Sequence, residues 1–237
     1  MCKAILNRAV PPEDLLCSCN GRAAIDQRLD EIDAPNVAPL NEWVRSIRRR
    51  GVLPDASAAT IPWFDPRSAG TAASVLLLLQ DPSEMATTTG FISPDNNDRT
   101  ARCTTKACSE AKLDRRLRLH WNVFPWWVNV PGGSKKKRGA VPDPRRPPEN
   151  WRDARRVAAR LTSELLSPAL LPGLRVVVVL GVEANKGFAA VLEAGLCLPD
   201  DVKLLCNAPS LSPPGVHRNW AEAVRFLADA RELALAR

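Results

Sequence analysis

Apolar residues along this chain fall into two kinds of pattern. Leu40, Trp43, Val44 and Ile47 recur at i, i+3, i+4 and i+7, which predicts one apolar stripe of a helix. Arg48, Arg49 and Arg50 follow and then Gly51, as a helix C-terminus prefers. Ala154, Val157, Ala158, Leu161 and Leu165 make a second stripe, ended by Pro168. Trp220, Ala223, Val224, Leu227 and Ala230 make a third. The other pattern is the short continuous run. Ser74 to Leu79, Leu117 to Phe124, Leu174 to Leu180 and Val202 to Cys206 have the length and bounding of buried strands. Unbroken apolarity, as opposed to alternation, predicts a sheet covered on both faces. Helical stretches separate most of the runs, so right-handed βαβ connections are expected. The predicted fold class is α/β, a three-layer α/β/α sandwich with a central, mainly parallel four-stranded sheet. Residues 1–35 are mixed and proline-interrupted, and read as a loosely packed N-terminal extension to a domain over 36–237.

Composition narrows the class. The chain has 237 residues, 45% hydrophobic and 25% charged, a globular balance. No apolar run approaches the ~20 residues of a membrane span, and the first residues lack a signal-peptide core, so no membrane association is expected. Seven cysteines in no regular framework favour reduced thiols and a cytoplasmic location. A net charge of +7 makes a polyanion the first partner to consider. Arg48–Arg50, Lys135–Arg138, Arg145–Arg146 and Arg152–Arg160 are the basic clusters, read either as phosphate contacts or as solvated surface charge. Lys135, Lys136, Lys137 and Arg138 follow Gly132–Gly133 and are the best candidates for contact with a nucleic-acid backbone. They lie within Val128 to Asn150, too rich in proline and glycine to be a regular element.

In sheets of this kind ligands bind beyond the carboxyl ends of the strands. Four segments fall there: Gln80 to Ser83, Asn122 to Pro125, Gly181 to Glu183 and Asn207 to Ser212. Asp81 follows the most apolar strand, where a general base or charge stabiliser belongs; the alternative is a helix cap or turn aspartate. Asn122 sits among apolar residues, and its amide suits either the edge of a base or a structural hydrogen bond. Phe91 and Ile92 are the only large apolar residues in the polar stretch Ala86 to Thr100, and read as a stacking surface for a flat ligand or as an anchor for the loop. Leu211 stands in the stiff segment Ala208 to Val216, as a wedge for DNA or as part of an ordinary connector. There is no phosphate-binding GxxxxGK[ST], no GxGxxG after a strand and no HExxH. His120 and His217 are the only histidines, and neither Cys17-Ser-Cys19 nor Cys103-x4-Cys108 has the usual metal spacing, so no metal site is expected.

In order and spacing these segments resemble the uracil-DNA glycosylase superfamily over Ser74 to Leu227. Leu76 to Pro82 looks like the strand and Gln-Asp-Pro of its first motif. Trp121–Asn122 looks like its strand-borne asparagine. Ala208–Pro209–Ser210–Leu211–Ser212 looks like its His-Pro-Ser loop, and Val176 to Gly187 is similar to the strand–glycine–helix segment before that loop. The resemblance implies a monomeric base-flipping N-glycosylase that acts on DNA bearing uracil or a related damaged base, with no cofactor. It assigns Asp81, with Gln80, to water positioning and stabilisation of the cationic sugar. Phe91 or Ile92 would stack on the base and Asn122 would read its pairing edge. Leu211, between Ser210 and Ser212, would fill the gap in the duplex. Three positions depart from the pattern. Ala208 replaces the histidine that stabilises the departing base, with His217 as a possible substitute. Ser83 stands where an aromatic excludes the thymine methyl, and Leu79 replaces a glycine. Two alternatives stay open: a weakened uracil-DNA-binding module of the same fold, and an unrelated α/β enzyme on a phosphorylated metabolite.

Overall fold

The structure, a computed structural model, describes residues 7–11, 13–17, 22–50, 61–126, 148–193, 195–196, 198–212, 216 and 218–236. Four strands, β2 (Val75–Leu79), β4 (Arg118–Asn122), β5 (Val176–Leu180) and β6 (Lys203–Ala208), form one sheet in the order β4-β2-β5-β6, and every pair is parallel. The four predicted runs are these strands, with ends displaced by one to a few residues. A two-residue ribbon, β1 (Trp63–Phe64) against β3 (Phe91–Ile92), stands apart from the sheet.

Seven helices occur among the described residues: α1 (Ala23–Asp30), α2 (Ala38–Arg49), α3 (Glu84–Thr89), α4 (Arg99–Glu110), α5 (Pro148–Leu165), α6 (Val182–Glu193) and α7 (Trp220–Leu235). Strand pleating sorts the core into two layers. Leu76, Leu78, Leu119, Trp121, Val177 and Val179 face α2, α5 and α6, whose Leu40, Val44, Leu161 and Phe188 pack on them. Val75, Leu77, Val176 and Val178 face the other way, against Ala107 and Cys108 of α4 and Ala223, Leu227 and Ala230 of α7. Burial on both faces is why β2 and β5 are continuous apolar runs. The three predicted stripes correspond to α2, α5 and α7. Within the stretch predicted as irregular, 127–147 lie outside the described residues, and Pro148–Asn150 already belong to α5.

The described part of the N-terminal segment is not loosely packed. Leu16 and Cys17 are buried, and Leu16 lies in an apolar cluster with Ala24, Ile25 and Phe91. Arg28, fully buried on α1, donates to Asp65 (3.2 Å) and Asp95 (2.6 Å), and Arg115 donates to the same two carboxylates at 2.8 Å each. Two guanidiniums against two carboxylates give a neutral set in which all but Arg115 are buried, the condition under which charges survive out of water. Leu16 also pairs its backbone with Asp95 and Asn97. The described residues before 36 are therefore part of the body of the protein. None of the described helices is long and apolar enough to cross a membrane.

Candidate functional site

A cavity of about 440 Å³ opens at the carboxyl ends of β2, β4 and β5. Its size falls within the range of small-molecule sites. All four segments expected at the strand ends contribute to it: Gln80 to Ser83 after β2, Asn122 at the end of β4, Gly181 to Glu183 entering α6, and Ser210 and Ser212 after β6. The segment Ile92 to Asn96 closes another side.

Asp81 and Asn122 are brought together by sheet register. Leu79 and Asn122 are paired neighbours, so Asp81, two residues past the end of β2, and Asn122, the last residue of β4, lie at the same edge of the sheet. The pairing continues beyond the strands, with Val123 donating to the Leu79 carbonyl at 2.8 Å and Phe124 to the Gln80 carbonyl at 2.9 Å. This fixes the loop that carries Gln80 and Asp81 against the end of β4. Asn122 is buried, and Asp81 is half-buried at the cavity wall.

The floor is held by a close approach. Gly181 adopts φ +94°, and a Cβ placed on it would stand 3.0 Å from the Ser210 Cβ. Its N–H donates to the Ala208 carbonyl at 2.8 Å. A residue with a side chain is disfavoured there both by backbone conformation and by space. Asn185 on α6 completes the clamp, donating to the Val179 and Gly181 carbonyls and accepting from the Asn207 N–H at 2.8 Å. Nothing in the sequence pattern singled out Asn185, because its role depends on the ends of two strands meeting.

Ser83 has a defined structural role as well as its place in the wall. It caps α3 by accepting from the Ala86 N–H at 3.1 Å, and its hydroxyl donates to Asp98 at 2.9 Å. Asp98 in turn caps α4 through the Ala101 N–H at 2.8 Å.

Several sequence assignments are corrected. Phe91 does not line the cavity; it is fully buried against Leu16, Ala24 and Ile25. Successive residues of β3 point to opposite sides, so only Ile92 reaches the cavity. No Phe, Trp or Tyr side chain lines it among the described residues. Leu211 is no exposed wedge either. It is 1% exposed and packs with Ala208, Val216 and Ala223, which turns Ser210 and Ser212 toward the cavity. The cluster Arg48–Arg50, read either as phosphate contacts or as surface charge, makes contacts within the protein and leaves Arg49 largely exposed. Arg48 lies over the Trp63 ring at 3.7 Å, Arg49 pairs with Glu42 at 2.8 Å and Arg50 with Glu164 at 2.7 Å. His217, Lys135, Lys136, Lys137, Arg138, Arg145 and Arg146 lie outside the described residues.

One residue weighed above only as a metal ligand belongs to the site. His120 is two residues before Asn122 on β4, on the same face of the strand, and lines the cavity. Among the described residues none offers a hydrogen-bond partner to its buried Nε2. Burial, and then the positive charges of Arg118 and Arg115, hold its pKa well below the usual histidine range, so the ring is neutral at physiological pH. Among the described residues no three His, Cys, Asp or Glu side chains gather as metal ligands. No protein-family model matches the chain, and no curated protein matches it.

Proposed function

We propose that the protein is a DNA N-glycosylase that flips uracil, or a related damaged base, into the strand-end cavity and hydrolyses its glycosidic bond. The observation that carries this reading is the convergence of Asp81 and Asn122 on one cavity at the rim of the sheet. A carboxylate and a buried amide on adjacent, rigidly paired strands suit the two tasks that the reaction poses. As the C1′–N bond breaks, its electrons leave on the base and positive charge develops on the sugar. Asp81 stabilises that charge and orients a water molecule, whose oxygen adds to C1′ as its proton passes to the carboxylate. Asn122, with a donor and an acceptor on one amide, reads the pairing edge of the base. Ile92 and Pro82 supply apolar walls in place of a stacking ring. Ser210 and Ser212, which also line the cavity, would receive a flanking phosphate.

The test is excision from oligonucleotides bearing a single uracil, opposite adenine, opposite guanine and in single strands, read as alkali-labile abasic sites. Wild-type protein is expected to cleave at least one of these. Asp81→Asn is expected to lower the single-turnover rate by ~10²–10³-fold, the usual loss when one preorganised charge stabiliser is removed. Intact DNA across all substrates and salt concentrations overturns the reading. One observation favours a second possibility, a uracil-DNA-binding module without catalysis: Ala208 is buried and offers no donor where the resembling family carries a histidine. Binding that is unchanged by Asp81→Ala, without excision, would establish that reading instead.

A further inference from the structure

The His120 ring is 6% exposed and lines the cavity, yet no hydrogen bond from any described residue reaches its buried Nε2. An unpaired polar atom in the interior carries a desolvation cost that native proteins normally avoid. Such atoms persist where a ligand supplies what the protein does not. The rest of the strand explains why the ring is held there. Arg118, His120 and Asn122 alternate with Leu119 and Trp121, which are locked into the opposite core layer, where Trp121 stacks on Phe64 at 4.0 Å. Rotation of β4 is thereby prevented, and His120 and Asn122 are presented to the same space. Two residues along a strand are ~6.6 Å apart, close to the breadth of one heterocyclic ring with its exocyclic groups.

We infer that His120 is a specificity-determining residue of the cavity, hydrogen-bonding a second polar group of the heterocycle whose adjacent N–H and C=O groups the Asn122 amide reads. This rests on the reading of the cavity as a nucleobase site and adds a second residue that reads the base, beyond the edge met by Asn122. A ring without such an edge leaves both side chains unpaired on binding, and a site built on buried polar groups rejects it for that reason. The neutral ring fits this role, since it brings one donor and one acceptor and no net charge into an apolar wall.

The inference is tested by nitrogen-15 NMR of the full-length protein, with the His120 ring signals identified by their loss in His120→Gln. Free uracil is the probe and unsubstituted pyrimidine, which lacks the lactam edge, is the control. Uracil is expected to shift the His120 ring signals, and pyrimidine is expected to leave them in place. His120→Leu is expected to weaken uracil binding by ~10-fold, the worth of one hydrogen bond at the upper end of its usual range. It should also reduce the preference for uracil over pyrimidine, whereas a purely structural role would weaken both ligands alike and leave that preference unchanged. Ring signals unmoved by uracil overturn the inference, whether or not His120→Leu folds. Shifted signals in a protein that excises no base leave the inference standing and remove the glycosylase reading. Excision with unmoved signals does the reverse.

Discussion

Arg28 Nη2 lies 2.6 Å from Asp95 Oδ2, with both side chains buried, and this contact ties the first described helix to the segment that walls the cavity. Asp95 follows Ser93 and Pro94 and precedes Asn96, all of which line the cavity. Ser93 also donates to Asp65, the second carboxylate of the set, at 2.5 Å. Removing one guanidinium leaves two buried carboxylates with Arg115 as the remaining guanidinium of the set. Arg28→Met is therefore expected to destabilise the protein by about 3–5 kcal/mol, the usual cost of leaving a buried charge without its partner. Urea denaturation measures this. A loss under about 1 kcal/mol would mean that water reaches the carboxylates once Arg28 is gone.

The contrast between α1 and the sheet shows what the sequence made legible. The strands were readable because burial on both faces leaves a purely local trace, an unbroken run such as Val176 to Leu180. The positions of Asp81 and Asn122 followed from their places at the ends of two such runs. Arg28 left no comparable trace, because its partners lie 37 and 67 residues away and a lone arginine reads as surface. Phe91 and Ile92 could not be told apart by type. Only the pairing of β3 with β1 decides which of the two faces the cavity. Helices α3 and α4 were hidden by polar composition, and what starts them is a pair of caps, Ser83 and Asp98, not an apolar stripe.

Those caps are coupled. Ser83 accepts from the start of α3 while donating to Asp98, which accepts from the start of α4. Each cap removed alone should cost about 1 kcal/mol. Because the two share a hydrogen bond, Ser83→Ala with Asp98→Ala should cost less than the sum of the singles, by about 0.5 kcal/mol or more. A double-mutant cycle in urea tests this, and strict additivity would show that the caps act independently.

His120 gives stability a definite pH dependence. Its folded pKa is held well below the usual value by burial, with Arg118 and Arg115 adding to the effect. The unfolded chain binds a proton near pH 6.5, while the folded chain resists it. The contribution is therefore complete above about pH 7 and is lost as pH falls below about 6.5, by at most ~1.4 kcal/mol per pH unit until the folded pKa is reached. Denaturation between about pH 5 and pH 7.5 should show this slope in the wild type and a shallower one in His120→Gln. Equal slopes would place the titration elsewhere.

The burial of Leu211 separates two roles that a leucine in this loop can serve. A wedge contributes to duplex binding and little to stability, whereas a core residue does the opposite. Leu211 is 1% exposed among Ala208, Val216, Ala223 and Leu227, so truncation opens a cavity between the loop and α7. Leu211→Ala is expected to cost about 2–4 kcal/mol in urea denaturation. The protein that remains folded should bind duplex and single-stranded oligonucleotides with the wild-type ratio of affinities, because no side chain is withdrawn from the DNA. Comparing those two affinities at a temperature where the variant is fully folded decides the matter. A selective loss on duplex DNA, with stability intact, would mean that the loop swings out on binding and exposes Leu211 after all.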